Sequence, residues 1–352
     1  MPPEVMRKFV EHEIRERQRT ERYGKVKPEI AIDFQGYKMV AVGSKLHYSK
    51  TWKFFPDFLM NYLPSVFGKE WGQAELARPF QEQHQVVQWR TKCLQFMKKQ
   101  EKNAQGFYDA VPSGFMAAFL NLAYDLYIVE HNGRFDDDLL ARLRHPDQFQ
   151  GARHELVAEA TCLRAGFTID HEDERDTSKR HAEFTATHKE SGQKISVEAK
   201  SKHRDGVLGR PGQPEPENEV NLRFGKLIND AIDKNPTHPL VIFLDTNLPP
   251  TVAEQVFEPI SRDPFVPPPS MKVLDTVRAK HGGKDPYSLV LFTNHPHYYG
   301  KEDEPAPTNK TLFVMSQIPK NPPAHPKAIM DLYHAANIYG NIPNTFPENP
   351  NE

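Results

Sequence analysis

The strongest constraint on the fold lies in the second half of the chain, where short apolar runs alternate with helical segments. The apolar runs are 240–244, 288–293 and 311–316, and the helical patterns between and before them cover 150–165, 219–234 and 271–280. A strand with no polar alternation is typical of a sheet that is buried on both faces. We therefore predict an α/β fold in which helices cover both sides of a mixed sheet.

The order of the elements in this half is also informative. The helix predicted at 150–165 ends at Gly166, a residue favoured after a helix C-terminus. Three short segments rich in β-branched and aromatic residues follow at 167–171, 182–188 and 195–199. With the helix at 219–234 and the strand at 240–244, the predicted order is α-β-β-β-α-β.

The first 148 residues have a different pattern. A charged amphipathic helix is predicted at 4–22, a hairpin at 30–42 that turns at Gln35-Gly36, and helices at 82–105 and 113–133. We expect a mainly helical N-terminal domain (1–148), an α/β core (149–319) and a proline-rich C-terminal tail (320–352). A short helix at 326–337 is the one element predicted within that tail.

Composition excludes several classes of protein. Cys93 and Cys162 are the only cysteines, so neither a disulfide framework nor a cysteine zinc site is available, and a reducing cytoplasm is expected. The first 27 residues are charged throughout, unlike a secretory signal. The longest apolar stretch, 115–129, contains Asn121 and Asp125 and is shorter than the roughly 20 residues that cross a bilayer. We predict a cytoplasmic protein that does not act on membranes.

One strand carries residues suited to chemistry. In 195–200, Ile195, Val197 and Ala199 share one face, while Ser196, Glu198 and Lys200 share the other. Glu198-Ala199-Lys200 is the only place in the chain where a lysine stands two residues after an acid. Such a pair on a strand is by itself more often a solvated salt bridge, so its context decides its meaning.

Further carboxylates lie in that context. A turn at 191–192 lets the strands predicted at 182–188 and 195–199 pair antiparallel, which brings Glu183 towards Glu198. Glu155 lies on the preceding helix, and Glu159 lies one turn later on the same face, where we expect it to be an ordinary solvated residue. Carboxylates that repel one another favour a hard divalent cation such as Mg²⁺ or Mn²⁺. Such a cation can activate water, and a neighbouring lysine can stabilise a phosphoryl transition state.

At these residues the sequence resembles the PD-(D/E)XK nuclease superfamily over about 150–245. That family has an α-β-β-β-α-β, restriction-endonuclease-like core with a helix glutamate, an acid on the second strand and Asp/Glu-x-Lys on the third. The resemblance implies that Glu155, Glu183, Glu198 and Lys200 are catalytic. It also implies that Glu183, Glu198 and the backbone carbonyl of Ala199 bind the metal, with Glu155 acting through water. Glu183 after Ala182 departs from the usual aspartate.

The resemblance implies a metal-dependent nuclease that cleaves phosphodiester bonds, with DNA expected as substrate and RNA left open. The nucleic-acid-binding candidates are Lys202, Arg204, Arg223 and Lys226, the last two on one helix face. Seven lysines and arginines against three acids in 179–204 suit a polyanion, although ordinary solvated surface explains that run equally well. A homodimer is also left open.

Other interpretations remain beside the nuclease. A catalytically silent descendant of the fold could serve as a binding or scaffolding module, and the same carboxylates could act on another substrate. His295-Pro296-His297 has no third metal ligand at a recognisable spacing. Arg175 with His181 matches a ribonuclease spacing but spans a loop and a strand, so we discard it. No glycine-rich phosphate loop or serine-hydrolase motif is present.

Overall fold

The computed structural model describes residues 3–104, 106–107, 110–133, 135–171, 182–258, 269–299 and 304–347. Within them the chain forms eleven α-helices, a three-stranded antiparallel sheet and a six-stranded mixed sheet. The predicted α/β class is therefore confirmed. No helix in these ranges is long and apolar enough to cross a membrane.

The N-terminal half is mainly helical and carries the small sheet. Its elements are α1 (Pro3–Tyr23), β1 (Ile30–Phe34), β2 (Tyr37–Val42), β3 (Lys45–Ser49), α2 (Phe55–Phe67), α3 (Lys69–Leu76), α4 (Gln85–Lys99), α5 (Gly114–Asn132) and α6 (Asp137–Leu143). The predicted helix at 4–22 and hairpin at 30–42 are confirmed. A third strand, β3, extends the hairpin and was not predicted, because its five residues bury little apolar surface.

The second half alternates helices and strands. Its elements are α7 (Phe149–Arg164), β4 (Phe167–His171), β5 (Phe184–His188), β6 (Lys194–Ser201), α8 (Gly225–Ile232), β7 (Leu240–Asp245), α9 (Pro250–Phe257), α10 (Pro269–Lys280), β8 (Leu289–Asn294), β9 (Lys310–Met315) and α11 (Pro326–Asn337). The strands lie in the order β4-β5-β6-β7-β8-β9. Strands β4, β5 and β6 pair antiparallel, β6, β7 and β8 pair parallel, and β9 is antiparallel to β8.

Helices cover both faces of the larger sheet. On one face, strand residues such as Val197 and Phe243 pack with α7 and α11. On the other face, Ile242, Leu244 and Phe292 pack with α8, α9 and α10. Strands β7 and β8 are buried along their whole length, which explains their uninterrupted apolar sequence.

Helix α7 joins the two halves of the protein. Its Leu156 and Leu163 pack into the core of the N-terminal helices, while Ala158 and Cys162 pack against the sheet. The C-terminal segment also belongs to these cores rather than forming a separate tail. Helix α11, predicted at 326–337, buries Leu332 in the sheet core, and Phe346 packs among the N-terminal helices.

Candidate functional site

Strand register brings Glu183 and Glu198 together. Phe184 of β5 pairs with Val197 of β6, and the backbone N–H of Glu183 donates to the carbonyl of Val197 at 3.1 Å. Continuing that register by one residue puts Glu183 opposite Glu198. Because Phe184 and Val197 point into the α7 side of the sheet, alternation directs both glutamates to the α8 side.

Two lysines neutralise this carboxylate pair. Lys200 Nζ lies 2.7 Å from Glu198 Oε2 and 3.1 Å from Glu183 Oε1. Lys234 Nζ lies 3.0 Å from Glu198 Oε1 and 3.4 Å from Glu183 Oε1. We call these four residues the Glu–Lys site. Its predicted members Glu183, Glu198 and Lys200 therefore meet, and Lys234 joins them.

Burial and charge act against each other at this site. Burial raises the pKa of Glu183, but the ammonium groups of Lys200 and Lys234 together lower it by more than burial raises it. The pKa of Glu183 therefore lies below the ordinary value. At Glu198 burial outweighs the same two ammonium groups and the pKa is raised. Burial alone would lower the pKa of Lys200, yet the two carboxylates outweigh it and the pKa is raised. Lys200 therefore stays protonated at neutral pH.

The donor set suits a hard cation. The Glu198 side chain is fully buried, and its two carboxylate oxygens lie 2.7 and 3.0 Å from the ammonium groups of Lys200 and Lys234. Mg²⁺ is commonly held by one or two protein carboxylates and several waters, so Glu183 and Glu198 suffice. Ala199 lies between Glu198 and Lys200, and metal binding by its carbonyl stays a prediction.

Glu155 does not join the pair. Its carboxylate receives two hydrogen bonds from the Arg142 guanidinium, at 2.5 and 2.7 Å, and α7 packs on the sheet face opposite Glu198. Glu159 is buried one turn later, 3.8 Å from His171 Nε2, and burial followed by repulsion from Glu155 raises its pKa well above the ordinary value. Within the described ranges, no three His, Cys, Asp or Glu side chains are grouped as metal ligands. The expected convergence of three acids is therefore not observed.

The predicted nucleic-acid-binding residues separate into two kinds. Arg204 is buried, and its guanidinium binds Glu215 at 2.7 Å and the carbonyls of Thr246 and Asn221 at 3.1 Å each. Arg204 stabilises the loop after β6, and its guanidinium cannot reach a phosphate. The expected role of Arg204 in nucleic-acid binding is therefore corrected. Lys202 is half-buried next to it, and burial lowers its pKa.

Arg223 and Lys226 are both exposed, but they do not share a helix face. Helix α8 begins only at Gly225, because the Asn221 side chain accepts from the backbone N–H of Arg223 at 2.9 Å and holds a turn there. The helix predicted from 219 therefore begins later, at Gly225. Arg175, Lys179, Arg180 and His181 lie outside the described residues.

Lys234 is the residue that sequence reasoning missed. It lies two residues beyond the end of α8, just before Asn235, whose φ of 47° turns the chain towards β7. The buried face of α8 (Ile228, Ala231 and Ile232) sets the helix against the sheet and so fixes where Lys234 reaches. The sequence signal was present only in part, since Arg223 and Lys226 were the basic residues of this helical segment predicted to act.

No model of a known protein family matches the chain, and searches of curated proteins and of solved structures give no significant match.

Proposed function

We propose that this protein is a metal-dependent nuclease that hydrolyses phosphodiester bonds at the Glu–Lys site. The observation that carries the proposal is the cross-strand meeting of Glu183 and Glu198, with Lys200 Nζ 3.1 and 2.7 Å from their oxygens. The order α7-β4-β5-β6-α8-β7 agrees with the α-β-β-β-α-β core of the PD-(D/E)XK superfamily. Within this core β4, β5 and β6 pair antiparallel, and β7 pairs parallel with β6.

Each side chain has a distinct role in this proposal. Glu183 and Glu198 would hold Mg²⁺ or Mn²⁺, which when bound lowers the pKa of water and neutralises charge on the phosphoryl group. Lys200 is protonated and therefore acts as an electrostatic partner of the transition state rather than as a general base. Lys234 balances the second carboxylate charge and would move aside when a cation binds.

Substrate approach is proposed from the side of the sheet that carries α8. Arg223 and Lys226 are exposed at the start of that helix and could contact phosphates without base specificity. DNA remains the proposed substrate. The half-buried Lys202 would contribute mainly to the local positive potential. Its neighbour Arg204 is held inside the protein by Glu215 and would not contact substrate.

A cleavage assay with matched variants tests this function. The protein would be incubated with double-stranded DNA, single-stranded DNA and RNA in Mg²⁺, Mn²⁺ or EDTA. We expect metal-dependent cleavage that falls about 10²–10³-fold or more in Lys200→Ala and Glu198→Ala. Lys194→Ala is the matched control, because Lys194 lies exposed on the same strand. Cleavage that persists unchanged in the two site variants would reject the assignment.

A silent binding module is the second candidate. The observation that favours it is that both carboxylates are already neutralised by lysines in the protein alone. On this hypothesis, the site variants would bind oligonucleotides as well as the native protein does, and no nucleic acid would be cleaved with any metal. Cleavage that is lost in Lys200→Ala while oligonucleotide binding is retained would instead support the nuclease.

A further inference from the structure

Among the residues that the structure describes, none packs against the first part of α1. Its last turns are anchored, since Arg19 Nη1 donates to the Val26 carbonyl at 2.9 Å and Asn341 Nδ2 donates to the Arg22 carbonyl at 3.1 Å. Residues 4–15 are all exposed. An isolated helix of about 12 residues is marginal in water, because most helices are stabilised by packing an amphipathic face. The projecting part of α1 therefore requires a surface to pack against.

That part of α1 carries an apolar stripe. Its five large apolar side chains are Val5, Met6, Phe9, Val10 and Ile14, each between 45% and 52% exposed. Their spacing puts them on one broad face of the helix, about 15 Å long at 1.5 Å per residue. Glu13 lies within the same face, one turn after Phe9 and Val10.

A second apolar face that no described part of the chain covers lies on the small sheet. Its inner side packs through Val40 and Val42 against the N-terminal helices. Its outer side presents Ile30, Ile32, Phe34, Met39, Leu46 and Tyr48, which register brings into adjacent rows. All of these but the half-buried Met39 are between 48% and 64% exposed. A contiguous apolar patch of this kind marks an interaction surface.

We propose that two copies of this chain form a reciprocal dimer in which the α1 stripe of each copy packs on the outer sheet face of the other. In a symmetric dimer of this type, each copy contributes its α1 stripe and its outer sheet face. Both apolar faces of both copies are therefore covered. The inference is independent of the nuclease assignment.

The dimensions of the two faces agree. Strands of five or six residues are about 17–20 Å long, and the two outer strands of a three-stranded sheet are about 10 Å apart. A helix about 10–12 Å wide with a 15 Å stripe therefore covers this sheet without overhanging it. One α1 stripe on each sheet is the expected stoichiometry.

The isolated charges on the two faces are complementary. Lys50 is the charged residue on the outer sheet face, where its Nζ lies 4.8 Å from the centroid of the Tyr37 ring. Glu13 is the acid within the stripe. Among the described residues neither side chain forms an ion pair, although Glu4, Glu11, Glu16 and Glu21 of α1 all do. A Glu13–Lys50 pair across the interface would set the register of helix on sheet.

The composition of the sheet face favours a protein partner over single-stranded nucleic acid. A nucleic-acid platform combines stacking aromatic residues with a basic groove. Here Ile30, Ile32 and Leu46 occupy much of the face, while Lys38 and Lys45 point to the other side, where they bind Asp33 and Glu130. Lys50 alone does not make a basic groove.

Sedimentation equilibrium of the full chain, with and without substitutions on each face, tests the dimer. We expect native protein to dimerise, and Phe9→Glu and Phe34→Glu each to raise the dimer dissociation constant about 30-fold or more. Met315→Glu is the matched control, because Met315 is 57% exposed on β9, an edge strand of the larger sheet. A native protein that stays monomeric at all concentrations would overturn the proposal, as would a dimer weakened by Phe9→Glu but not by Phe34→Glu.

Charge reversal tests the register. Glu13→Lys should weaken the dimer about tenfold, and adding Lys50→Glu should restore it, because the two reversals exchange the signs of one pair. Circular dichroism would check that each variant keeps its fold. If Lys50→Glu fails to rescue Glu13→Lys, or if Phe34→Glu instead abolishes oligonucleotide binding by a monomeric protein, the proposed interface is wrong.

Discussion

The Glu–Lys site and a second charged cluster deeper in the protein use acids and bases in different ways. The second cluster, which we call the polar junction, consists of Asp125, Arg153, Arg164, Asp245 and Tyr339. In it Arg153 Nη2 lies 2.5 Å from Asp245 Oδ2, Arg164 Nη2 lies 4.0 Å from Asp125 Oδ1, and the Tyr339 hydroxyl donates to Asp125 at 3.0 Å.

The junction joins the N-terminal helices to the ends of the sheet strands and is closed to solvent. Asp245 is fully buried and Arg164 is 1% exposed, whereas the lysine side chains of the Glu–Lys site are 17% and 25% exposed. Burial, partly offset by Arg164, raises the pKa of Asp125 to about 7. The cavity beside it, lined partly by Arg153, His295 and Tyr339, measures about 10 Å³, about the size of one water.

The difference suggests which cluster is structural. Arginine keeps its charge and binds carboxylates with a planar fork, which suits a permanent buried contact. Lysine is a compact charge on a flexible stem, so a cation or a phosphate can displace it. Substituting a residue of a structural cluster should therefore lower the stability of the protein. Substituting a residue of the Glu–Lys site should instead lower activity or change metal affinity.

The largest expected effect is on stability at the polar junction. Arg153→Leu leaves Asp245 buried without its guanidinium, and we expect it to lower the free energy of unfolding by about 3–5 kcal/mol. Urea unfolding measures this loss. Arg223→Leu is the control, because Arg223 is exposed and its loss should change stability by about 0.5 kcal/mol or less. A loss below about 1 kcal/mol in Arg153→Leu would remove the distinction between the clusters.

A smaller effect, of a different kind, is expected from Lys234→Ala. Removing an ammonium group 3.0 Å from Glu198 Oε1 leaves a net negative site, so Mn²⁺ should bind about tenfold more tightly. Stability should change by about 1 kcal/mol or less, since partly exposed ion pairs contribute little. Calorimetric titration and urea unfolding measure the two quantities. Weaker Mn²⁺ binding in this variant would show that Lys234 does not compete with the cation.

Local sequence patterns predicted most of the second half of the fold. Strand β4 and helix α11 have the predicted bounds, and β6, β7 and β9 differ from prediction by one or two residues at one or both ends. These elements are specified by apolar periodicity and by turn residues such as Gly166. Helix α9 was not predicted, because its eight residues begin at the second of two consecutive prolines and offer too short a pattern.

The site was predictable where strand register alone decides it. Glu183, Glu198 and Lys200 follow from a hairpin turn and from alternation along β6. Glu155 and Lys234 depend instead on how two helices pack against opposite faces of the sheet, which single-sequence patterns do not specify. Arg204 was misassigned because basic residues in a loop look alike in sequence whether they face solvent or bind carbonyls inside the fold.

Calorimetric titration of Mn²⁺ into native protein and into Glu198→Gln tests most directly whether the Glu–Lys site binds a catalytic metal. The amide keeps the size of the side chain but removes the charge, and it leaves Glu183 as the one remaining carboxylate of the pair. We predict one Mn²⁺ site in the native protein and its loss in Glu198→Gln. Absence of binding to the native protein, or equal binding by both proteins, would contradict the nuclease assignment.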